Sequence, residues 1–365
     1  MKLVYLSNAR IPTEKAHGIQ IVKTCEALVT EGADVDLVVP RRRNTLSDDP
    51  FSYYGLSRRF PIRRVWTWDL IRFGRIGFLI QAVTFGIASA LFLRRFQGVV
   101  YSRDEIPLCI VRLFSNRTFV WESHDGAWNW CARYVAHRAK KIVVVSQGLK
   151  DWYVEHGVDA SKIVVIPNAI DVTSFENPES KKEARTRLGL PQDQKIAMYI
   201  GRLDGWKGTD TLLEASKKLH DSMLVVIGGD SADIEKLKVL YPKVTFLGFR
   251  PYRELRDNQA AADVLVVPNT GKDLISVKFT SPLKLVAHLA SERPIVASDL
   301  PSIREIVDES SAYLVRPDDP TALANGIEKA LSNELEAHTR ASRARARLSL
   351  YTWTARAEKI LNLVA

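Results

Sequence analysis

The chain has 365 residues, of which 46% are hydrophobic and 26% are charged. That length suffices for two ordinary domains, and the composition excludes a disordered or fibrous protein. The formal net charge of +10 indicates attraction to phosphate in a nucleotide, a nucleic acid, an anionic lipid or a polyanionic acceptor, and charge alone does not choose among them.

The first half of the chain alternates strand and helix patterns. A strand pattern at KLVYLSN leads into a helix predicted from about Gly18 to Glu31. Further apolar, β-rich runs follow at ADVDLVVP, RRVWTW, GVVYSRD, TFVWESHD, KIVVVSQ and KIVVIPN, with helical patterns between most of them. Repeated units of strand, helix and strand predict a parallel, doubly wound α/β sheet covered on both faces.

The chain opens directly on a strand pattern. MKLVYLSN lacks the charged, apolar and small-residue regions of a signal peptide. We therefore expect a cytoplasmic protein.

A second series of strands begins after a polar segment. Residues 172–182 are polar and include Pro178, and we interpret them as a linker. The strand patterns beyond it are KIAMYIG, MLVVIGGD, VTFLGF, DVLVVPN, PIVASD and AYLVRPD. The sequence therefore predicts two Rossmann-like domains, at 1–172 and 173–350, with parallel sheets facing across a cleft. An amphipathic helix at about 351–365 is expected to pack back on the first domain.

A glycine-rich turn at 201–208 is a candidate phosphate site. Its sequence, GRLDGWKG, lies between the strand KIAMYI and a helix expected to begin near Thr209. Arg202 and Lys207 can converge on one doubly charged group, with the amides of the helix start behind them. We interpret the turn, which begins at Gly201, as a diphosphate site. The alternative is an ordinary glycine turn with solvated charges.

The segment KFTSPLKLVAHLASERPIVASD is the second candidate anion site. Ser281 is predicted to be the N-cap of a helix that has Pro282 at its first position and ends near Glu292, and Ser302 is predicted to open another short helix. Backbone amides at a helix start attract anions, although most such starts bind nothing. The predicted binding residues are Thr280, Ser281, Pro282 and Leu283, through the backbone amides around them, helped by Lys278 or Lys284.

Polar residues at strand ends of the first domain are further candidates. His124 ends the run TFVWESH, from where it could donate a hydrogen bond to a sugar hydroxyl or transfer a proton. Arg103 and Asp104 end the run GVVYS, and Gly18 opens the first helix, where glycine lets backbone approach a ligand closely. The alternatives are a structural or exposed His124 and simple turn chemistry at Gly18.

An apolar segment from Gly77 to Leu93 contains Gln81, Thr84 and Ser89 and falls short of the ~20 residues that a transmembrane helix needs. Basic and aromatic residues surround it: Arg58, Arg59, Arg63, Arg64, Arg72, Arg75, Arg94, Arg95, Trp66, Trp68, Phe73 and Phe78. This composition fits a membrane surface with anionic lipids, and it also fits a core helix with solvated flanks. A nucleic-acid interface is disfavoured because no recognition motif or stacking platform accompanies the charge.

Motifs of several other enzyme classes are absent from the sequence. It has no Walker-type phosphate loop, no GxSxG nucleophile elbow, no metal-ligand cluster and no complete GxGxxG after the first strand. Kinase, hydrolase, metalloenzyme and dehydrogenase functions are therefore disfavoured.

In this order, the motifs resemble those of retaining glycosyltransferases of the GT-B fold, specifically glycosyltransferase family 4. The matching pieces span nearly the whole chain and are IPTEKAHGIQIVKTCEAL, SRD, ESHD, VVVSQGL, VIPNAID, GRLDGWKG, DVLVVPN, TSPLKL and RPIVASDLPSIREIV. The resemblance implies a metal-independent hexosyltransferase that moves a sugar from a nucleotide diphosphate sugar to an acceptor hydroxyl and keeps the anomeric configuration. It places the nucleotide sugar on the second domain and the acceptor on the first.

The resemblance also implies roles for individual residues. Arg202 and Lys207 would neutralise the diphosphate as its bond to the sugar breaks. His124 would meet the donor sugar, and Gly18 would lie near the phosphates. The leaving phosphate accepts the acceptor's proton in front-face attack, so no protein nucleophile is implied.

The implied partners are a nucleotide sugar as co-substrate and a saccharide or lipid-linked acceptor, in the synthesis of a cell-surface polysaccharide or lipid-linked glycan. No cofactor and no nucleic acid are expected. An anionic membrane surface, at the inner face of the membrane, is a further candidate partner, which follows from the basic and aromatic residues around the apolar segment.

The chain departs from the family pattern at several positions. The family commonly carries two glutamates eight apart, and Phe279 and Ala287 stand at those places; Ala169 and Glu292 stand where glycines are usual. Two alternatives to an active transferase follow. One is a catalytically degenerate protein that binds nucleotide sugar or a partner enzyme without transfer, and the other is a sugar-nucleotide epimerase on the same fold.

Overall fold

The computed structural model describes residues 1–203 and 205–364. The chain divides into two compact units. Unit 1 comprises Met1–Asn168 together with Trp353–Ala365, and unit 2 comprises Ala169–Thr352. The chain therefore leaves unit 1 a few residues before the predicted boundary at 172 and returns to it at Trp353.

Unit 1 is built on a seven-stranded parallel sheet of order β3-β2-β1-β4-β5-β6-β7. Its strands are β1 Lys2–Leu6, β2 Asp34–Pro40, β3 Ile62–Val65, β4 Val99–Ser102, β5 Phe119–Ser123, β6 Lys141–Val144 and β7 Ile163–Val165. The central strands are near-continuous apolar runs because helices cover both faces of the sheet.

The helices of unit 1 include the last helix of the chain. They are α1 Ala16–Thr30, α2 Pro50–Tyr53, α3 Gly74–Leu93, α4 Glu105–Phe114, α5 Trp130–Arg138 and α6 Gln147–Glu155, together with the C-terminal α15 Trp353–Val364. Helix α15 packs on α1, and Ala357, Ile360 and Val364 join the same hydrophobic core as strand β1. Helix α3 packs on α4.

Unit 2 is built on a six-stranded parallel sheet of order β10-β9-β8-β11-β12-β13. Its strands are β8 Lys195–Ile200, β9 Ser222–Ile227, β10 Thr245–Gly248, β11 Val264–Val267, β12 Ile295–Ser298 and β13 Tyr313–Val315. Its helices are α7 Lys181–Leu188, α8 Thr209–Ser216, α9 Ser231–Leu240, α10 Leu255–Ala260, α11 Leu283–Ala290, α12 Pro301–Arg304, α13 Pro320–Ser332 and α14 Glu334–Ala346. A single π-helical turn, Ile275–Phe279, precedes α11.

Both sheets have the predicted parallel, doubly wound form, so the prediction of two Rossmann-like domains is confirmed. In each sheet the strand order reverses next to its first strand: between β1 and β4 in unit 1, and between β8 and β11 in unit 2. Ligands of open α/β sheets bind at such switch points, outside the carboxyl ends of the strands. These two edges are where the candidate residues should be sought.

The prediction that Ser281 caps a helix was wrong. Helix α11 starts at Leu283, and Pro282 is its N-cap without any side-chain cap. Residues Leu285 and Val286 donate their backbone N–H groups to the Pro282 carbonyl at 2.9 and 3.2 Å. The chain leaves the π-helical turn in an extended conformation that continues through Pro282 (φ −67°, ψ 104°), so the proline sits one position before the helix rather than within it.

The end of α11 and the start of α12 also differ from the sequence prediction. Helix α11 ends at Ala290, and Glu292 adopts a left-handed backbone with φ of 54°. This is the position at which the sequence resemblance implies a glycine. Helix α12 begins at Pro301 rather than Ser302, since proline suits the first helical position, and the Ser302 hydroxyl instead donates to the Ser276 carbonyl at 2.5 Å.

The apolar helix is longer than the sequence run predicted. A helical segment at 71–93 has 23 residues and contains an 18-residue window with a mean hydropathy of 2.1, which is enough by length and composition to cross a membrane. The run counted from Gly77 was too short because the preceding turn, with its two arginines, continues the helix. In the structure 44% of this window is buried.

Candidate functional site

The candidate phosphate turn lies at the switch point of the unit 2 sheet. It follows β8, and its last residue, Gly208, lies against the end of β11. A Cβ atom at Gly208 would stand 1.7 Å from the Pro268 carbonyl oxygen, and the residue has φ of 69°. Only glycine tolerates both the approach and the backbone angle. The turn therefore packs closely against the end of β11, the strand next to β8 at the switch point. Helix α8 begins directly after the turn.

The charged side chains of this turn have different surroundings. The Lys207 ammonium lies over the Trp206 ring, 3.2 Å from the ring centre. Arg202 is exposed, and its carbonyl accepts a hydrogen bond from the Tyr199 hydroxyl at 2.6 Å. Asp204, in the same turn, lies outside the described residues. The two cations predicted from the sequence, Arg202 and Lys207, therefore lie on a turn that Tyr199 of β8 holds by a hydrogen bond.

Lys284 is the most unusual cation of unit 2. Its Nζ atom lies 4.7 Å from the centre of the Tyr199 ring. Within the described part of the chain this Nζ is shielded from solvent and has no hydrogen-bond partner. Burial, reinforced by the charge of Lys207, holds the pKa of Lys284 well below its ordinary value. A buried amine without a partner is costly unless an anion meets it.

The two candidate anion segments are neighbours in unit 2. The π-helical turn that ends at Phe279 packs against the Gly205–Lys207 turn. Lys284 stands in the first turn of α11 and reaches Tyr199, which in turn holds the Arg202 carbonyl. Gly201, Arg202, Lys207 and Lys284 are therefore brought together at one sheet edge. Ser281 and Pro282 are buried beside them, and Thr280 and Leu283 are half-buried.

Two buried polar groups of unit 2 escaped the sequence interpretation. Asn269, which follows β11, is fully buried, and neither atom of its amide has a hydrogen-bond partner among the described residues. His288 is also buried, and its Nδ1 pairs with the Gln259 amide at 2.8 Å while its Nε2 has no such partner in the described chain. Burial and the nearby Lys284 lower the pKa of His288 to about 3. The terminal asparagine of DVLVVPN, at the end of a strand pattern, is the sequence signal that could have pointed to Asn269.

The positions that carry glutamates in the family are apolar and buried here. Phe279 is 5% exposed and Ala287 is 2% exposed, and Ala287 belongs to a core cluster with the rest of α11. Neither position can offer a carboxylate to a ligand. The described groups around Tyr199 and Lys284 are cations, aromatic rings and amides, and the nearby Asp318 carboxylate accepts hydrogen bonds from Thr270 and Gly271.

In unit 1, His124 lies at the carboxyl end of β5 beside a buried carboxylate. Its Nε2 stands 2.5 Å from Glu122 Oε1, and the Glu122 side chain is 1% exposed. Glu122 also accepts hydrogen bonds from the Tyr101 hydroxyl and from Arg356 Nη2, the latter at 2.6 Å. Arg103 Nε lies 4.0 Å from the same oxygen. His124 is therefore held by a network that was not visible in the motif ESHD.

The protonation states of this pair follow from its surroundings. Burial alone would raise the pKa of Glu122, but Arg356, His124 and Arg103 outweigh it and hold that pKa well below the ordinary value. Burial and Arg103 lower the pKa of His124 to about 4, although Glu122 opposes them. A neutral His124 donates Nε2–H to Glu122 and keeps the Nδ1 lone pair for another donor.

The remaining candidates of unit 1 have structural explanations of their own. A Cβ atom at Gly18 would lie 2.5 Å from both the Thr13 methyl and the Tyr54 hydroxyl. Close packing therefore explains why residue 18 is a glycine, and no bound ligand is needed for that explanation. Asp104 accepts the backbone N–H of Asn8 at 2.8 Å, which joins the ends of β4 and β1 across the switch point. Burial raises the pKa of Asp104 to about 6.

No group of three or more His, Cys, Asp or Glu side chains is placed to hold a metal ion in residues 1–203 and 205–364.

Comparison with known protein families shows which family this chain belongs to. The family model described as Glycosyltransferase Family 4 matches residues 18–174, and the model described as Glycosyl transferases group 1 matches residues 194–333. The chain belongs to glycosyltransferase family 4. The first match lies almost entirely in unit 1 and the second in unit 2.

Curated relatives of this family 4 chain have names from glycan synthesis. It is 33% identical over 234 residues to the Bacillus subtilis protein named "Putative teichuronic acid biosynthesis glycosyltransferase TuaC". That alignment covers 64% of this chain and 57% of the relative. It is 30% identical over 234 residues to phosphatidyl-myo-inositol mannosyltransferase of Mycobacterium tuberculosis, covering 60% and 58% of the two chains. The chain thus spans just over half the length of these relatives.

Solved structures resemble the family 4 chain along its whole length. Sucrose-phosphate synthase from Thermosynechococcus elongatus superposes with a TM-score of 0.80 at 21% identity, covering 99% of this chain and 98% of that one. Anabaena HepE in complex with UDP-glucose gives a TM-score of 0.77 at 18% identity, covering 99% and 98%. At these identities the likeness shows the fold, which is GT-B.

Proposed function

We propose that this chain is a metal-independent, retaining hexosyltransferase that moves a sugar from a nucleotide diphosphate sugar to an acceptor hydroxyl. One observation carries the proposal: the buried Lys284 amine, without a hydrogen-bond partner among the described residues, lies beside Tyr199 and close to Lys207 at the switch point of unit 2. An anion with two or more charges is the ligand that completes such a site. Membership of family 4 supplies the reaction class.

The donor would be held mainly by its diphosphate. Arg202, Lys207 and Lys284 supply the cations, and the backbone of 280–283 supplies the helix-start amides. The ribose would be held loosely, because Phe279 and Ala287 offer no carboxylate to its hydroxyls. Affinity should therefore follow the diphosphate more closely than the base or the sugar.

The proposed chemistry is a substitution with retention at the anomeric carbon. The bond from that carbon to the diphosphate oxygen breaks, and the electron pair leaves with the diphosphate. The acceptor oxygen bonds to the same face, and its proton passes to the leaving phosphate oxygen. Arg202 and Lys207 stabilise the charge that grows on the diphosphate, which is worth roughly 10²–10³ in rate for a single well-placed donor.

His124 would orient the donor sugar. Its Nε2–H is committed to Glu122, 2.5 Å away, so its Nδ1 lone pair is the atom left to accept a hydrogen bond from a sugar hydroxyl. A neutral imidazole suits this task, since a cation there would oppose the positive charge that develops on the sugar ring as the bond breaks.

The acceptor belongs to a cell-surface polysaccharide or lipid-linked glycan in this proposal, and the reaction takes place in the cytoplasm, at or near the inner face of the membrane. The support comes from relatives whose names refer to teichuronic acid biosynthesis and to phosphatidyl-myo-inositol mannosyl transfer. An acceptor of this kind is either a growing saccharide or a sugar-bearing lipid.

Calorimetric titration with a panel of nucleotide diphosphate sugars tests the proposal. At least one donor should bind, and a sugar-bearing acceptor should then yield product with retained configuration. Arg202→Ala and Lys207→Ala should each lower kcat/KM about 10²–10³-fold. The matched control is Lys217→Ala, an exposed lysine of unit 2 that is paired with Glu214 and should behave as the parent.

Other outcomes identify other functions. Failure of every donor to bind would remove the proposal altogether. Donor binding without turnover, across a panel of acceptors, would favour a degenerate binding protein, which the apolar Phe279 and Ala287 make the main alternative. Conversion of the donor sugar in the absence of any acceptor would indicate an epimerase.

A further inference from the structure

Helix α3 carries an apolar stripe that is exposed at Ile76, Ile87 and Leu91 and half-buried between them. The stripe consists of Ile76, Ile80, Val83, Ile87 and Leu91, whose spacings of three and four residues place them on one helix face. Ile76 is 73% exposed and Leu91 is 53% exposed. A surface helix normally directs its apolar face inward and its polar face to solvent. Here the outward-facing stripe is apolar as well.

The opposite face of α3 is the one that belongs to the core. Phe85 and Ser89 are fully buried, and Gln81 donates its side-chain amide to Asn8 Oδ1 at 2.8 Å. Gly86 lies so close to α4 that a Cβ atom there would approach Ile110 to 2.8 Å. A helix fastened in this way lies along the surface of unit 1, so its length and hydropathy do not make it a membrane-spanning segment.

Two tryptophans stand beside the middle of the stripe. Trp66 and Trp68 are each 55% exposed, in the segment that links β3 to α3. Thr67 between them bonds to the Thr84 hydroxyl of α3 at 2.9 Å, and the Trp68 N–H donates to the same hydroxyl at 3.2 Å. Tryptophan is enriched where apolar and polar phases meet, because its ring is apolar and its N–H is polar.

The charge around the stripe has one sign. From Leu70 to Arg103 the chain contains no aspartate and no glutamate. Arg72 and Arg75 stand at the start of α3, and Arg94 and Arg95 at its end, so both ends of the apolar stripe are basic and exposed. This arrangement is complementary to an extended negative surface.

We propose that the α3 stripe docks unit 1 on an anionic lipid surface, with α3 lying in the plane of the headgroups. Charge complementarity favours lipid over a second copy of this chain. Two copies paired along the stripe would bring arginines against arginines in either orientation, and the segment has no carboxylate to offset them. The docking goes beyond the proposed sugar transfer and does not depend on it.

The docking surface is joined to the switch point of unit 1. Gln81, on the inner side of α3, holds Asn8, whose backbone N–H is held by Asp104 at the end of β4. His124 stands at the same sheet edge, after the neighbouring strand β5. A lipid surface bound by the α3 stripe therefore lies next to the edge at which an acceptor would be presented.

Co-sedimentation of the full chain with vesicles tests the proposal. Vesicles that contain phosphatidylglycerol should capture the protein, capture should fall as salt rises, and phosphatidylcholine alone should capture little. Arg72→Gln combined with Arg75→Gln should weaken partitioning roughly thirtyfold, at about one kilocalorie per arginine near an anionic surface.

The apolar part of the surface has its own variants. Ile76→Ser combined with Ile87→Ser should weaken partitioning about tenfold or more, because these side chains would enter the lipid. The matched control is Val239→Ser with Leu240→Ser, two exposed apolar residues of unit 2 that are 81% and 64% exposed. All these sites lie on the surface, so thermal unfolding should not change and a folding defect is readily recognised.

Three results would overturn the proposal. Equal capture by neutral and anionic vesicles would remove the anionic surface, and no capture by either would remove the lipid. A concentration-dependent dimer in sedimentation velocity that the Ile76/Ile87 double variant abolishes would show that a second copy covers the stripe. Loss of sugar transfer with capture intact would count against the proposed function alone.

Discussion

Donor binding is expected to draw a proton from solution, because Lys284 has to become charged to meet a diphosphate. In the empty site burial and Lys207 depress the pKa of this lysine well below its ordinary 10.5. Between the depressed pKa and 10.5 the folded, unliganded chain carries a neutral amine at this position. A bound diphosphate favours the ammonium form, so the proton is taken up on binding and released on dissociation.

The size of the effect follows from the geometry. One amine can take up at most one proton per bound donor. A phosphate charge about 4 Å from Nζ, at the effective dielectric constant of about 20 that suits protein sites, contributes about 4 kcal/mol. That is roughly a thousandfold shift toward the ammonium form. The phosphates of a nucleotide sugar are already fully ionised at alkaline pH and add no proton change of their own.

Titration calorimetry at a mildly alkaline pH, in buffers with different ionisation enthalpies, measures the proton number directly. The observed enthalpy should change with the buffer ionisation enthalpy, with a slope approaching one proton taken up per site. Lys284→Met should bind the donor more weakly and give a slope near zero. Lys217→Ala, whose ammonium is exposed and paired with Glu214, should keep the parent slope.

A tight-binding parent protein with no proton uptake at any alkaline pH would refute this reasoning. It would mean that Lys284 is either already charged in the empty site or remains neutral beneath the bound donor. A Lys284→Met variant with the parent slope would place the titrating group elsewhere.

Three further substitutions probe the fold of the two units. Arg356→Met should destabilise the chain by about 3–5 kcal/mol, because the Glu122 charge is left buried without its main partner; the unfolding midpoint in denaturant measures this, and Arg356→Lys should recover part of the loss. Gly208→Ala should weaken donor binding more than tenfold, since its Cβ would stand 1.7 Å from a carbonyl oxygen, and unchanged calorimetric affinity would contradict the assigned role of the turn. Glu292→Gly should raise the free energy of unfolding by about 1 kcal/mol, because glycine is unstrained at a φ of 54°. The substitution also removes the ion pair with Arg345, which is largely exposed and therefore weak. A lowered melting temperature would show that the ion pair outweighs the backbone strain.

The strand series was predictable from sequence because buried parallel strands are continuous apolar runs that end in polar residues. The runs KIAMYIG and DVLVVPN gave both the strands β8 and β11 and the residues at their carboxyl ends. Helix boundaries were less predictable, since they depend on how the preceding chain arrives. Pro282 could have stood at the first helical position, but an extended approach from the π-helical turn made it the cap.

The partners of individual side chains were beyond the reach of sequence patterns. Glu122 and Arg356 are 234 positions apart, and no local spacing connects them. Lys284 has the periodicity of an ordinary helical residue. Only the fold reveals that its amine lies over the ring of Tyr199 and has no hydrogen-bond partner in the part of the chain that the structure describes. The exposure of Ile76 and Leu91 was likewise undecided, because the sequence fits a core helix and a surface helix alike.

The contribution of α15 to unit 1 has a consequence for the order in which the chain matures. Arg356 binds the Ile166 and Pro167 carbonyls at 3.0 and 2.8 Å, and it supplies the positive charge that Glu122 requires. The ribosome makes this arginine only after the whole of unit 2. During synthesis unit 1 is therefore expected to remain a partly folded intermediate, with part of its hydrophobic core exposed, until α15 has been made. Unit 2 can complete its folding before that point. Chaperone contacts during synthesis should accordingly concentrate on the earlier half of the chain.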